Sequence, residues 1–515
     1  MTVTPSSPPT ATPWRTIFGA VVPVALAALV VARMAVDPFT VLMLGLAGGA
    51  ALGLATLPLE RTLPALVALA PFRLYATIPG TSYEISLTSL ITVMVGAFVL
   101  VANVARGLPR LTRWEWTFAA WFGWLVLTVL WSSSPGSSLR GLFSWGHLLA
   151  VAFLTAHVLR TAWDRGRVLR RLVTALLVLV TMWSVVGFLQ AALSFTTVRE
   201  MLSSPLAGLV YSPAELGIKL GAIGVNWRRG DSVQPFGPFD NAIVFGMFTA
   251  TGVGLATATL VGRVRFAPRW LAVTTLVLGL AADIATLKAT GWISAAAALV
   301  IAFLALGGSV GAVLRWGLAL GTAAGLCGFL FRDMIAARLA ELAAREIVAT
   351  GSLDAISRPA IWAHYLRVAL TKPVTGHGLY TAGRLGPVRQ TLATGTDVMI
   401  SYQLPPENAY LTMAVDAGLP GLVGLLVVLC GALFGGARLS RRFPYDPLAQ
   451  AAGLAAVGIA ALLVGNFAVS ALSEETMGVA LGTLLGIVVV ARREVGASSE
   501  GSRQRSEPAP GPQPQ

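Results

Sequence analysis

Long apolar runs broken by short, arginine-rich segments recur along this chain from Ile17 to Val490. A helix crossing about 30 Å of hydrocarbon needs roughly 20 apolar residues, and within a bilayer every backbone N–H and C=O must find its partner inside the protein. The pattern predicts membrane spans over residues 17–34, 39–57, 62–79, 85–104, 116–132, 141–159, 172–195, 242–262, 270–287, 291–307, 316–331, 409–435, 449–471 and 476–491. The third contains Pro64, Pro71 and Arg73, so a re-entrant or interfacial segment is its alternative. The expected fold class is an all-α polytopic membrane protein of about 12–14 transmembrane helices with a helical extracytoplasmic loop domain.

On this reading the chain divides into a disordered tail (1–16), N-terminal membrane helices (17–195), a first outer loop (196–241), further membrane helices (242–331), a large outer loop (332–408), C-terminal membrane helices (409–491) and a disordered tail (492–515). The two tails are rich in Pro and Ser and too poor in apolar residues to pack. In the large loop, Ile335, Leu339, Leu342 and Ile347 recur at helical spacing, which predicts a helix lying on the membrane surface.

Composition agrees: 56% of the residues are hydrophobic and 12% charged, which excludes a soluble multidomain protein. The formal charge of +14 is resolved by position. Arg106, Arg110 and Arg113, the cluster Arg160 to Arg171, Arg263 to Arg269, Arg315, Arg438 to Arg442 and Arg492–Arg493 all fall in breaks that alternate spans would leave in the cytoplasm. That bias sets the orientation, with both long loops outside, and removes any need for a nucleic acid partner. Cys327 and Cys430 each lie inside an apolar run, and His147, His157, His364 and His377 show no metal-ligand spacing, so no metal or cofactor is expected.

The candidate chemistry lies in the outer loops. Arg358 precedes Pro359 at the predicted start of a helix, where free N–H groups and the helix dipole favour an anion; a surface pairing with Asp354 is the plainer alternative. Glu407 stands where the loop re-enters the membrane, either as a tuned general base or as a solvated loop carboxylate. Lys288, near a span end, reads on its own as a snorkelling side chain or a partner of Asp283.

The order of these pieces resembles the bacterial O-antigen ligase and O-unit polymerase family of membrane glycosyltransferases, over roughly residues 225–440. Arg358 stands before a helix containing Ile361–Trp362. The turn P-V-T-G-H-G (373–378) follows, then Glu407–Asn408, nine residues, and Gly418-Leu419-Pro420-Gly421. Where that family has a His before the Asn, this chain has Glu407. The resemblance implies a metal-independent glycosyltransferase that moves a glycan from an undecaprenyl-pyrophosphate carrier to a glycan or lipid acceptor at the outer face of the bacterial inner membrane. It implies Arg358, Lys288 and Arg228 or Arg229 as pyrophosphate ligands, Glu407 as acceptor base and Asn408 shaping the site; His377, in the glycine turn between Arg358 and Glu407, is a reserve base by its position. The absent His favours a polymerase or a broader surface-polysaccharide role over a ligase. The alternative is a transporter or lipid-linked glycan flippase using Asp283, Lys288 and Asn466, which predicts two similar halves; no clear internal repeat supports it.

Overall fold

The computed structural model of the protein describes residues 58–72, 75–77, 84–104, 112–211, 215–217, 219–221, 228–229, 232–239, 241–306, 358–384, 388–391, 397–400, 406–472 and 474–506, with a few isolated positions between 322 and 336. The expected spans at 17–34, 39–57 and 316–331 and the amphipathic stretch of the large loop lie essentially outside these residues.

The chain is an all-α polytopic membrane protein. Its helices are α1 (Leu59–Leu69), α2 (Leu87–Val104), α3 (Arg113–Thr128), α4 (Pro135–Thr161), α5 (Arg165–Ala192), α6 (Phe195–Ser203), α7 (Ala242–Val261), α8 (Arg269–Ala285), α9 (Ala289–Leu306), α10 (Arg358–Thr371), α11 (Ala409–Arg442), α12 (Pro447–Gly465) and α13 (Glu475–Ser506). Among the described residues seven are long and apolar enough to cross a membrane: α4, α5, α7, α9, α11, α12 and the Glu475–Val495 part of α13. Three two-stranded antiparallel ribbons interrupt the helices: β1 (Tyr75–Thr77) with β2 (Glu84–Ser86), β3 (Arg228–Arg229) with β4 (Ser232–Val233), and β5 (Val388–Thr391) with β6 (Asp397–Ile400).

The third expected span is corrected. Instead of a helix over 62–79, α1 ends at Leu69 and is followed by the β1–β2 ribbon. At about 1.5 Å per residue its 11 residues reach about 16 Å, half the hydrocarbon thickness. Pro71 offers no N–H to extend the helix. The segment still meets the start of α2, where the Thr88 hydroxyl donates to the Phe72 carbonyl at 2.7 Å.

The centre of the bundle is built from small residues. α7 and α12 are the most enclosed spans, α7 packing on α8, α9 and α12 and α12 on α9, α11 and α13. Lipid tails are as apolar as any side chain, so membrane helices gain by close approach rather than by hydrophobic exclusion, and Gly, Ala and Thr permit it. A Cβ on Gly254 would sit 2.7 Å from that of Ala298, and the hydroxyls of Thr251, Thr257 and Thr259 are satisfied by carbonyls one turn back in their own helix.

The arginines gather at one end. Glu115, which closes a capping box with Thr112 at the head of α3, bonds Arg160 and lies 3.6 Å from Arg493; Arg165 bonds Glu494. These contacts tie α3, α4, α5 and α13 together; the Arg165–Glu494 pair, the more exposed, contributes about 0–1 kcal/mol. The opposite end carries the close of α3, the start of α4, the close of α5, the starts of α7 and α9, the start of α11 and the close of α12.

Candidate active site

The site is organised by α10 lying along the first turns of α11. Ile361, Tyr365 and Ala369 of α10 are buried against Ala414 and Val415 of α11, with Ala382 from the following turn. Near its head, the Trp362 indole donates to the Pro406 carbonyl at 3.0 Å; beyond its tail, Pro373 accepts from the Leu419 N–H at 2.7 Å. The two helices therefore run parallel and begin at the same end. Arg358 is the first residue of α10, one turn before Trp362, and Glu407 is one residue beyond Pro406. Two helix starts, an arginine and a carboxylate position are thus brought together, and helix starts favour anions.

The short segment between loop and α11 is held firmly. Asn408 is the N-cap, its side-chain oxygen accepting from the Tyr410 and Leu411 N–H groups, both at 3.1 Å. Its amide oxygen is committed to that cap. Ala409 donates to the carbonyl of Asn466 at 2.9 Å, and the buried Asn466 side chain in turn accepts from Ala471. Glu407 adopts φ +48°, a left-handed conformation that costs a non-glycine residue about 1 kcal/mol or more. Its side chain is half-buried.

Below this lies the P-V-T-G-H-G turn, wedged into a break in α11. At Gly418 the backbone turns to φ +69° and Pro420 follows, so the helical hydrogen-bond ladder is interrupted. The freed groups find partners elsewhere. Val415 and Asp416 carbonyls accept from His377 and Gly378, Ala417 accepts from the Trp124 indole at 2.8 Å, and Gly421 accepts from the Trp121 indole at 3.0 Å. Trp131 donates to the Thr375 carbonyl at 2.8 Å. The Asp416 carboxylate accepts from the N–H groups of Tyr380, Thr381 and Ala382 at 2.8, 3.2 and 2.9 Å. Glycine is required here: at Gly376, φ +65°, a Cβ would lie 2.4 Å from the Asp416 carbonyl, and at Gly418 it would lie 2.2 Å from that of Val374. Gly418→Ala is therefore expected to cost at least about 2 kcal/mol, read as a lower melting temperature of the purified protein.

His377 belongs to this turn and not to the Arg358–Glu407 end. Its N–H is bonded to Val415, eight residues along α11 from Glu407, which is about 12 Å of helix. Its Nε2 lies 3.1 Å from the Thr371 hydroxyl and 3.3 Å from the Val368 carbonyl. Burial holds its pKa below the usual imidazole value, and nearby Lys372 adds to that. The sequence places it between Arg358 and Glu407; the fold sets it deeper, as a brace of the turn.

Lys288 sits in the turn before α9, after Leu287 at φ +54°, and its N–H reaches the Thr286 hydroxyl at 3.3 Å. A Cβ built on Gly465 would lie 2.9 Å from the Ser294 hydroxyl of α9, and Gly465 adjoins the Asn466 that anchors Ala409. Lys288, six residues before Ser294, thus opens on the same end as Glu407. Asp283 is buried against Gly246 and Gly291, its Oδ1 without a hydrogen bond, and no ion pair joins it to Lys288 among the described residues. Arg228 and Arg229 form strand β3, paired with Val233 and Ser232, ahead of the Gln234–Phe239 segment that leads to α7. They too lie before a helix that starts at this end.

The sequence reading missed Asp416 and the three tryptophans. A carboxylate inside an apolar run was the available signal for Asp416, since intramembrane charges are kept only where they are satisfied. Among the described residues no three His, Cys, Asp or Glu side chains converge as a metal-ligand group.

Compared with known proteins, residues 274–426 match the family model described as O-Antigen ligase. No curated protein matches the chain. The matched stretch runs from α8 across the Arg358 helix and the glycine turn to just beyond the break in α11.

Proposed function

With an O-antigen ligase domain supporting its membership of that family and a glycan-transferring activity, we propose that this membrane protein moves a glycan from undecaprenyl pyrophosphate to an acceptor hydroxyl on the extracytoplasmic face. The observation that carries the reading is the parallel docking of α10 on α11, which brings the start of the Arg358 helix beside Glu407. This end is opposite the arginine clusters, and the positive-inside bias turns it outward.

In the reaction the acceptor oxygen attacks the anomeric carbon of the donor as the carbon–oxygen bond to pyrophosphate breaks. The polyprenyl pyrophosphate leaves with the bond's electron pair, and the acceptor proton passes to the Glu407 carboxylate. Negative charge grows on the leaving group in the transition state. Arg358, Lys288 and an arginine of the 228/229 pair supply the cations that stabilise it, so these residues perform by fixed charge what a bound metal ion would otherwise perform. Asn408 acts by holding the backbone that presents Glu407. A saccharide acceptor on a second carrier gives a polymerase, and a lipid acceptor gives a ligase; Glu407 in place of His favours the former.

The test is transfer of a lipid-linked oligosaccharide by purified protein in lipid nanodiscs. Arg358→Ala is expected to lower kcat about 100-fold or more, and Arg358→Lys less, since the guanidinium contacts phosphate with two N–H groups. Undiminished turnover in folded Arg358→Ala protein overturns the assignment. Movement of the lipid-linked glycan across proteoliposomes without any transfer would favour the flippase instead.

A further inference from the structure

The arginine-rich end holds a cavity of about 840 Å³, far from the glycan-transfer site, between the head of α1 and the turn joining α4 to α5. We propose that this cavity binds the phosphate of an anionic phospholipid headgroup from the adjacent leaflet.

Four guanidinium groups line it: Arg61 from α1 and Arg165, Arg167 and Arg171 from the first turns of α5. Two carboxylates, Glu60 and Asp164, share the walls, so the cavity carries a surplus of positive charge. The carboxylates do not neutralise all of it. Asp164 caps α5 through the Arg167 N–H at 2.8 Å and pairs with the Arg167 side chain at 3.3 Å, while Arg165 is bonded to Glu494 outside the cavity wall. Arg61 and Arg171 have no acidic partner among the described residues. A phosphate diester, with its anionic oxygens, matches these two guanidiniums, which line one cavity from α1 and α5, and arginine is the side chain best shaped to grip phosphate.

Depth identifies the source of that phosphate. The turn between two membrane-crossing helices lines the cavity, which therefore lies where those helices leave the hydrocarbon, at headgroup level. Trp163, at the tip of that turn, is fully exposed, at 101% of its reference area. Tryptophan is the residue enriched where acyl chains meet headgroups, and basic pockets between spans on the cytoplasmic side are where anionic headgroups dock. Pro58, Glu60 and Arg61, at the head of α1, line the same cavity and so lie at this level too.

The experiment is native mass spectrometry of the full-length protein released from detergent with added phosphatidylglycerol, phosphatidylcholine or soluble glycerol 3-phosphate. Phosphatidylglycerol is expected to remain bound while phosphatidylcholine does not. The double variant Arg61→Gln/Arg171→Gln is expected to lose about tenfold or more of that binding, since one charge-assisted contact accounts for roughly that factor. Should the double variant misfold, Arg171→Gln alone is expected to show a several-fold loss. Equal retention of phosphatidylglycerol in folded variant and parent overturns the proposal, and so does its displacement by millimolar glycerol 3-phosphate, which would identify a soluble phosphate ester as the ligand.

Discussion

Glu407→Gly is expected to abolish glycan transfer while leaving the protein as stable as the parent or slightly more so. Glu407 occupies a left-handed backbone conformation, which glycine adopts freely, so the substitution removes about 1 kcal/mol of strain. The carboxylate is what the substitution removes, and loss of a positioned general base lowers rates about 10²–10⁴-fold. Glu407→Ala should fall as far in rate without the gain in stability. Glu407→His, which restores the residue type found in the family this chain resembles, should recover part of the activity and shift its pH optimum toward the imidazole range. The readouts are turnover of a lipid-linked oligosaccharide and the melting temperature of the same preparations. Turnover by Glu407→Gly within a few-fold of the parent would remove Glu407 from the chemistry.

Asp416→Ala is expected to have the largest effect on stability, of about 3–5 kcal/mol. Its carboxylate is the shared acceptor for the N–H groups of Tyr380, Thr381 and Ala382, all in a turn packed into the bundle. Removing it strands several buried donors, each costing about 1–3 kcal/mol where water cannot replace the partner. Asp416→Asn keeps one acceptor oxygen and should be intermediate. Because Asp416 lies about 13 Å along α11 from Glu407, the defect should appear in the amount of folded protein, with turnover per folded molecule largely kept. A normal melting temperature in Asp416→Ala would show that the turn is held by its backbone bonds to Val415 and Asp416 alone.

The candidate site was partly legible in the chain. Arg358 at a helix start, the glycine turn and the Glu407–Asn408 pair before an apolar run are all local features, and each proves to sit where its neighbours in sequence imply. What those residues do is less local. Asn408 reads as a site residue, yet its oxygen caps α11, a role that an Asn ahead of an apolar run also signals. The tryptophans of α3 stand in no motif that marks them out in the sequence. Their indoles in fact supply the hydrogen bonds that the break in α11 takes away, and nothing in Trp121 or Trp124 forecasts a partner some 300 residues on.

By itself the sequence determined that this is a multispan membrane protein, which end of it gathers arginine, and where most helices begin and end. Hydropathy, charge and proline act on each residue and its near neighbours, so a linear string suffices to read them. α1 departs from the expected span by the same local rule, since Pro71 offers no N–H to carry the helix on. Tertiary structure alone decided that Arg358 and Glu407 share an end while His377, between them in the chain, does not. That outcome rests on α10 running parallel to α11 and on a glycine turn filling the break at Gly418, contacts that arise from shape and unsatisfied backbone groups after the helices have met.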